Sequence, residues 1–75
     1  MELSQTDYNI LAAIGSGRVE SGTSVSHFVD YCDNVIGGDP RPLIKEGYIE
    51  GDRFVDGLTD KGKQALDEYL KSKDK

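Results

Sequence analysis

The stretch LIKEGYIEGDRFVDGLTDKG, residues 43–62, decides how this chain of 75 residues is read. Its first part reads as the end of a helix stopped at Gly47, where glycine supplies a left-handed backbone conformation that other residues avoid. Tyr48-Ile49-Glu50 and Arg53-Phe54-Val55 are short β-favouring runs. The intervening Gly51-Asp52 predicts a tight two-residue hairpin turn with the glycine at positive φ. Asp56-Gly57-Leu58 leads out to Thr59, a helix cap with Asp60 behind it. Gly62, Ala65, Leu66, Tyr69 and Leu70 then form the apolar stripe of a closing helix. Ile49, Leu58 and Leu66 are expected in the core, and Gly62 is expected to let the last helix approach the sheet closely.

Upstream, Ser4 and Asp7 have capping-box spacing, with Leu3 and Tyr8 placed as a hydrophobic staple. Tyr8, Ile10, Leu11, Ala12 and Ile14 give helix one a broad apolar stripe, which Gly15-Ser16-Gly17 ends. Arg18-Val19-Glu20 reads as a short strand. Ser24 then caps helix two, whose stripe is Val25, Phe28, Val29 and Cys32 and whose exit is expected at Asp33-Asn34. Helix three is restricted to Pro40–Glu46, with Asp39 as its cap and Pro40 at its opening, where a missing N–H costs nothing. Residues 1–71 thus form one α+β, mostly helical domain, with a frayed, lysine-rich tail at 72–75.

The order of helix, helix, short helix, hairpin and helix resembles the winged helix, or winged helix-turn-helix. Leu43-Ile44-Lys45-Glu46-Gly47-Tyr48-Ile49 looks like the end of a recognition helix running into the first wing strand. Leu58-Thr59-Asp60-Lys61-Gly62, followed by Leu66 and Tyr69-Leu70, is similar to the strand end and closing helix of MarR- and PadR-type regulators. The pairing of EGYI with LTDKG also resembles small, phage-associated YjcQ-like proteins. The resemblance implies three short helices, a two-stranded wing and a C-terminal helix. It further implies a DNA-binding transcriptional regulator acting on double-stranded DNA, with a homodimer as one possible form.

In such an arrangement helix three enters the major groove and the wing reaches a phosphate or the minor groove. Arg41 and Lys45, four residues apart, would then share a face, with Arg53 on the wing and Lys61 at the start of the closing helix as further DNA contacts. The charge balance pulls the other way, because the chain carries a net −5. Residues 30–60 hold Arg41, Lys45 and Arg53 against eight acids, whereas residues 61–75 hold five lysines against Asp67, Glu68 and Asp74. Glu46, Glu50, Asp52 and Asp56 crowd the hairpin, so the alternative reading is a protein-interaction module with an acidic wing. The alternative for Arg41 and Lys45 is a solvated face on which they pair with Asp39, Glu46 or Glu50.

Nothing in the sequence assembles a nucleophile, base and acid, so no enzymatic activity or catalytic residue is expected. His27, the one histidine, and Cys32, the one cysteine, provide neither a zinc cluster nor a disulfide. Gly37-Gly38-Asp39 precedes a helix without a phosphate-loop lysine, so neither metal nor cofactor is anticipated. The chain opens without a basic and apolar leader and contains no run of about 18 apolar residues, which predicts a cytoplasmic protein without membrane attachment. Folding is therefore expected to be independent of divalent metal. Adding a chelator should leave the circular dichroism spectrum and the thermal transition unchanged, and loss of either would refute that expectation.

Overall fold

The computed structural model describes residues 2–73. Among them the order is α1 (Gln5–Gly15), α2 (Val25–Tyr31), a π-helical turn (Cys32–Ile36), α3 (Arg41–Lys45), β1 (Ile49–Gly51), β2 (Val55–Leu58) and α4 (Asp60–Lys73). The protein is α+β and mostly helical.

Helix α1 starts as its sequence dictates. Asp7 N–H donates to Ser4 Oγ (3.2 Å) and Ser4 N–H donates to Asp7 Oδ2 (2.9 Å), closing a reciprocal capping box. Leu3 and Tyr8 are both half-buried against the core. Ile10, Leu11 and Ala13 form the buried face of this helix and meet Phe28 and Cys32 from the second helical segment, Leu43 from α3, and Tyr48, Ile49 and Val55 from the hairpin. Tyr8 stacks on Tyr69 of α4, with ring centroids 4.2 Å apart and planes inclined by 10°. Tyr69 Oη donates to Gln5 Oε1 at 2.8 Å, which ties the two ends of the chain together.

The second helix does not exit at Asp33-Asn34. After Cys32 its backbone widens into a π turn that runs to Ile36, keeping Cys32 fully buried and Ile36 half-buried. Gly37, at φ 86°, ends it, and the N–H groups of Gly37 and Gly38 both donate to the Cys32 carbonyl (2.7 and 3.2 Å). Gly38 lies so close to Thr6 and Ile10 of α1 that a Cβ there would overlap the Thr6 methyl group.

Arg18-Val19-Glu20 is not a strand. Val19 is buried and its N–H turns back to the Ala13 carbonyl (3.1 Å), which pulls the segment out of extended pairing. The β contact falls instead at Ser24, which bridges antiparallel to Phe54. Flanking bonds run from Gly22 N–H to Val55 O (2.8 Å), Val55 N–H to Thr23 O (2.7 Å) and Val25 N–H to Arg53 O (2.9 Å).

The hairpin is also shifted from its expected register. Ile49 faces Leu58, Glu50 faces Gly57 and Gly51 faces Val55, with an irregularity between Glu50 and Gly51. The turn therefore comprises residues 52–54, and Asp56-Gly57-Leu58 belongs to the second strand. Gly57, at φ 142°, carries the positive φ expected of Gly51. The displacement keeps Val55 fully buried while Arg53 and Phe54 face the Thr23–Val25 segment with their backbones.

Helix α4 begins at the Thr59 cap, whose Oγ1 accepts from Gly62 N–H at 3.1 Å and donates to the Gly47 carbonyl. Gly62 is packed directly on the Tyr48 carbonyl, where any Cβ would clash. One expectation for α4 needs correction. Leu66 is half-buried and Leu70 is 50 % exposed, because the helix leaves an open groove between Ile14, Leu58, Leu66 and Leu70. The helix runs to Lys73, and residues 74–75 of the expected tail lie outside the described residues.

These positions set an order of sensitivity. Gly62→Ala should destabilise the fold by about 1–3 kcal/mol or more through backbone overlap. Leu66→Ala should cost roughly half of the ~2–5 kcal/mol typical of a fully buried leucine. Urea denaturation midpoints of the two variants check the ranking, and an unchanged midpoint for Gly62→Ala would overturn the packing described.

Candidate functional site

Helix α3 forms despite two prolines because neither is asked for a helical N–H. Pro40 is the cap and Pro42 lies in the first turn, while their carbonyls accept from Ile44 (3.1 Å) and Glu46 (2.9 Å). Asp39 acts one residue ahead of the cap, with its Oδ1 accepting from the Arg41 backbone N–H at 3.0 Å. Gly47, at φ 84°, reverses the chain, and Tyr48 N–H closes onto the Leu43 carbonyl (2.9 Å). Leu43 is the buried anchor of this helix, Ile44 packs half-buried against the core, and Arg41, Pro42 and Lys45 are exposed.

Arg41 and Lys45 do share a face. Together with Asp39, Pro42 and Glu46 they line one shallow depression on the outside of α3. Arg41 is nevertheless engaged: its Nε contacts both Asp39 oxygens (3.0 and 3.1 Å) and its Nη2 contacts Oδ2 (2.9 Å). Those side-chain bonds, followed by the Arg41 backbone N–H and the charge itself, hold the Asp39 carboxyl below the usual carboxylate range. The same bonds raise the Arg41 guanidinium above its ordinary value. Both side chains remain well exposed, at 71 % and 44 %, so the pair orients the guanidinium more than it stabilises the fold.

Lys45 and Arg53 are exposed, and neither makes a salt bridge among the described residues. Arg53 sits in the turn of the hairpin, its carbonyl bonded to Val25 N–H. Lys61 makes a contact within the fold that its sequence context did not indicate. Its Nζ donates to the Glu46 carbonyl at 2.9 Å and lies 4.4 Å from the centre of the Tyr48 ring, so it neutralises the C-terminal end of α3 and covers a buried tyrosine. The rule that cations favour helix C-termini was available in the sequence. The partner helix, fifteen residues upstream, was not.

The acids Glu46, Glu50, Asp52 and Asp56 are all exposed around the hairpin. His27 is exposed on α2, and Cys32 is fully buried as a small core residue. Among the described residues no cluster of three or more His, Cys, Asp or Glu could hold a metal ion. No helix among them is long and apolar enough to cross a membrane. Compared with known protein families, curated proteins and solved structures, the chain finds no match.

Burial, with a smaller contribution from the Asp39 charge, pushes the Cys32 thiol up to about 11 from 9.0. Folding therefore favours the neutral thiol, and this contribution to stability is complete below pH 9 and is lost as the pH rises toward 11. Cys32 should resist a thiol reagent at pH 8 until denaturant unfolds the chain. Replacing Cys32 with alanine should flatten the fall in stability between those pH values relative to wild type. Rapid labelling of the folded protein would contradict the burial.

Proposed function

We propose that this chain is a small winged-helix protein that binds double-stranded DNA as a transcriptional regulator, with α3 as its recognition helix and the β1–β2 hairpin as its wing. The observation that carries the reading is the connectivity. Three helices precede a hairpin and a closing helix, and Ser24, just ahead of α2, forms an isolated antiparallel bridge with Phe54, just ahead of β2. Such a frame presents the outer face of α3 to a major groove and the hairpin turn to the flanking backbone. Arg41 and Lys45 occupy that face, and Arg53 occupies that turn.

The mechanism is one of weak electrostatic docking. Lys45 and Arg53 are free to meet phosphate oxygens, and Arg41 exchanges Asp39 for a base edge or a phosphate. Lys61 contributes by holding the end of α3 and does not need to reach DNA. Three contacts in a chain of net charge −5 imply micromolar binding that falls with salt at a slope of about −0.9 per contact.

A second reading is favoured by one observation: Glu46, Glu50, Asp52 and Asp56 are exposed and none of them forms a salt bridge among the described residues. On that reading the hairpin is an acidic docking surface for a basic protein partner.

Titration of mixed duplex DNA in low salt separates the two. Arg53→Ala should weaken binding to all sequences alike, and Arg41→Ala should reduce any sequence preference. Asp39→Asn should strengthen binding several-fold by releasing the guanidinium. Undetectable wild-type binding, or variants indistinguishable from wild type, would transfer the function to the acidic hairpin.

A further inference from the structure

Arg18 is the only lysine or arginine before residue 41. It lies on the loop between α1 and α2, is exposed and makes no salt bridge among the described residues. There it lines a cleft of about 210 Å³ whose floor is the fully buried Phe28 and whose rim adds Glu20, Thr23, His27 and Tyr31. The loop is held in place from several sides. Val19 N–H bonds to Ala13 O (3.1 Å), Thr23 donates to Glu20 O from both its N–H (3.2 Å) and its Oγ1 (2.7 Å), and Gly22 N–H bonds to Val55 O (2.8 Å). The His27 backbone N–H is committed to Ser24 Oγ (3.2 Å), whereas no hydrogen bond engages the side chains of Arg18, His27 or Tyr31 among the described residues.

We propose that this cleft binds a phosphate group. The guanidinium offers paired N–H donors that match two oxygens of an oxyanion. The imidazole N–H of His27 and the phenol O–H of Tyr31 supply further donors from α2 on the same rim. The volume lies below the ~300–1,000 Å³ of pockets that enclose drug-sized ligands, so the cleft holds a head group while the remainder of the ligand stays outside. Glu20 on the same rim opposes the anion and sets a ceiling on affinity. Phosphate of this kind comes either as a free phosphomonoester or inorganic ion, or as part of a nucleic-acid backbone. The site shares no residue with Arg41, Lys45 and Arg53, so it stands whether or not the α3 face binds DNA.

The test is a titration of wild-type protein with inorganic phosphate, at ionic strength held constant with chloride, followed through backbone amide resonances. Saturable shifts confined to residues 18–31 are expected. Arg18→Gln should weaken the dissociation constant by about tenfold, the usual worth of one charge-assisted contact. Glu20→Gln should strengthen it, an opposite sign that a purely structural role for the loop does not produce. Both positions are exposed, so the variants should keep the wild-type spectrum elsewhere. A parallel titration with a short duplex identifies the source. Shifts in the same amides that Arg18→Gln abolishes assign the cleft to backbone phosphate, and their absence alongside phosphate binding assigns it to a free phosphate ligand. Shifts that do not saturate, or equal constants in all three proteins, overturn the proposal.

Discussion

The first turn of α4 rests on bare backbone. Thr59 N–H donates to Tyr48 O (3.2 Å), Thr59 Oγ1 donates to Gly47 O, Gly62 sits against the Tyr48 carbonyl, and Lys61 reaches back to Glu46 O. Three consecutive carbonyls, at the end of α3 and the start of β1, are thus satisfied by the opening residues of one helix. Such carbonyls would otherwise need water or cap residues of their own. The contact also fixes the hairpin, because Thr59 follows Leu58 directly and Leu58 pairs with Ile49. The orientation of α3 relative to the hairpin is therefore set by the opening residues of α4.

Those residues were legible because they are local and chemically distinctive. A threonine cap, a glycine three residues later and a glycine ending the preceding helix each have few structural alternatives. The Ser4–Asp7 box at the start of α1 was readable for the same reason. What escaped the sequence depended on distant partners. The hairpin register is pinned by Ser24 and Val25, almost thirty residues upstream of the hairpin turn, whereas a glycine-containing dipeptide offers only a local hint of where the turn falls. The π turn at Cys32–Ile36 has no propensity signature. It keeps Cys32 buried and ends where Gly37 turns at positive φ and Gly38 passes tightly over Thr6 and Ile10.

The candidate site divides in the same way. That Arg41 and Lys45 would share a face followed from their spacing, and the Arg41–Asp39 pair was among the foreseeable acidic contacts. The engagement of Lys61 was not foreseeable, since it requires the crossing of α4 over the end of α3. The Arg18 cleft was missed for a comparable reason: its rim joins a loop read as a strand to the middle of α2, and no spacing rule connects residues 18, 23, 27 and 31.

Placement of charge, more than its total, governs what this molecule can meet. Five of its nine basic residues divide into three groups: Lys61, bonded to the end of α3; Arg41, held in reserve by Asp39; and Lys45, Arg53 and Arg18, which make no salt bridge among the described residues. A domain that relied on bulk attraction to a polyanion would not bear a net −5 with four acids around its hairpin. Long-range repulsion slows non-specific encounter with a phosphate backbone, so any complex must form through a few short-range contacts of good geometry. The reserved guanidinium suits that regime. Breaking an exposed ion pair costs little, so Arg41 can change partners when an acceptor of matching shape is presented and remains quiet when none is. Weak general attraction combined with a conditional contact favours discrimination between targets over tight binding to all of them.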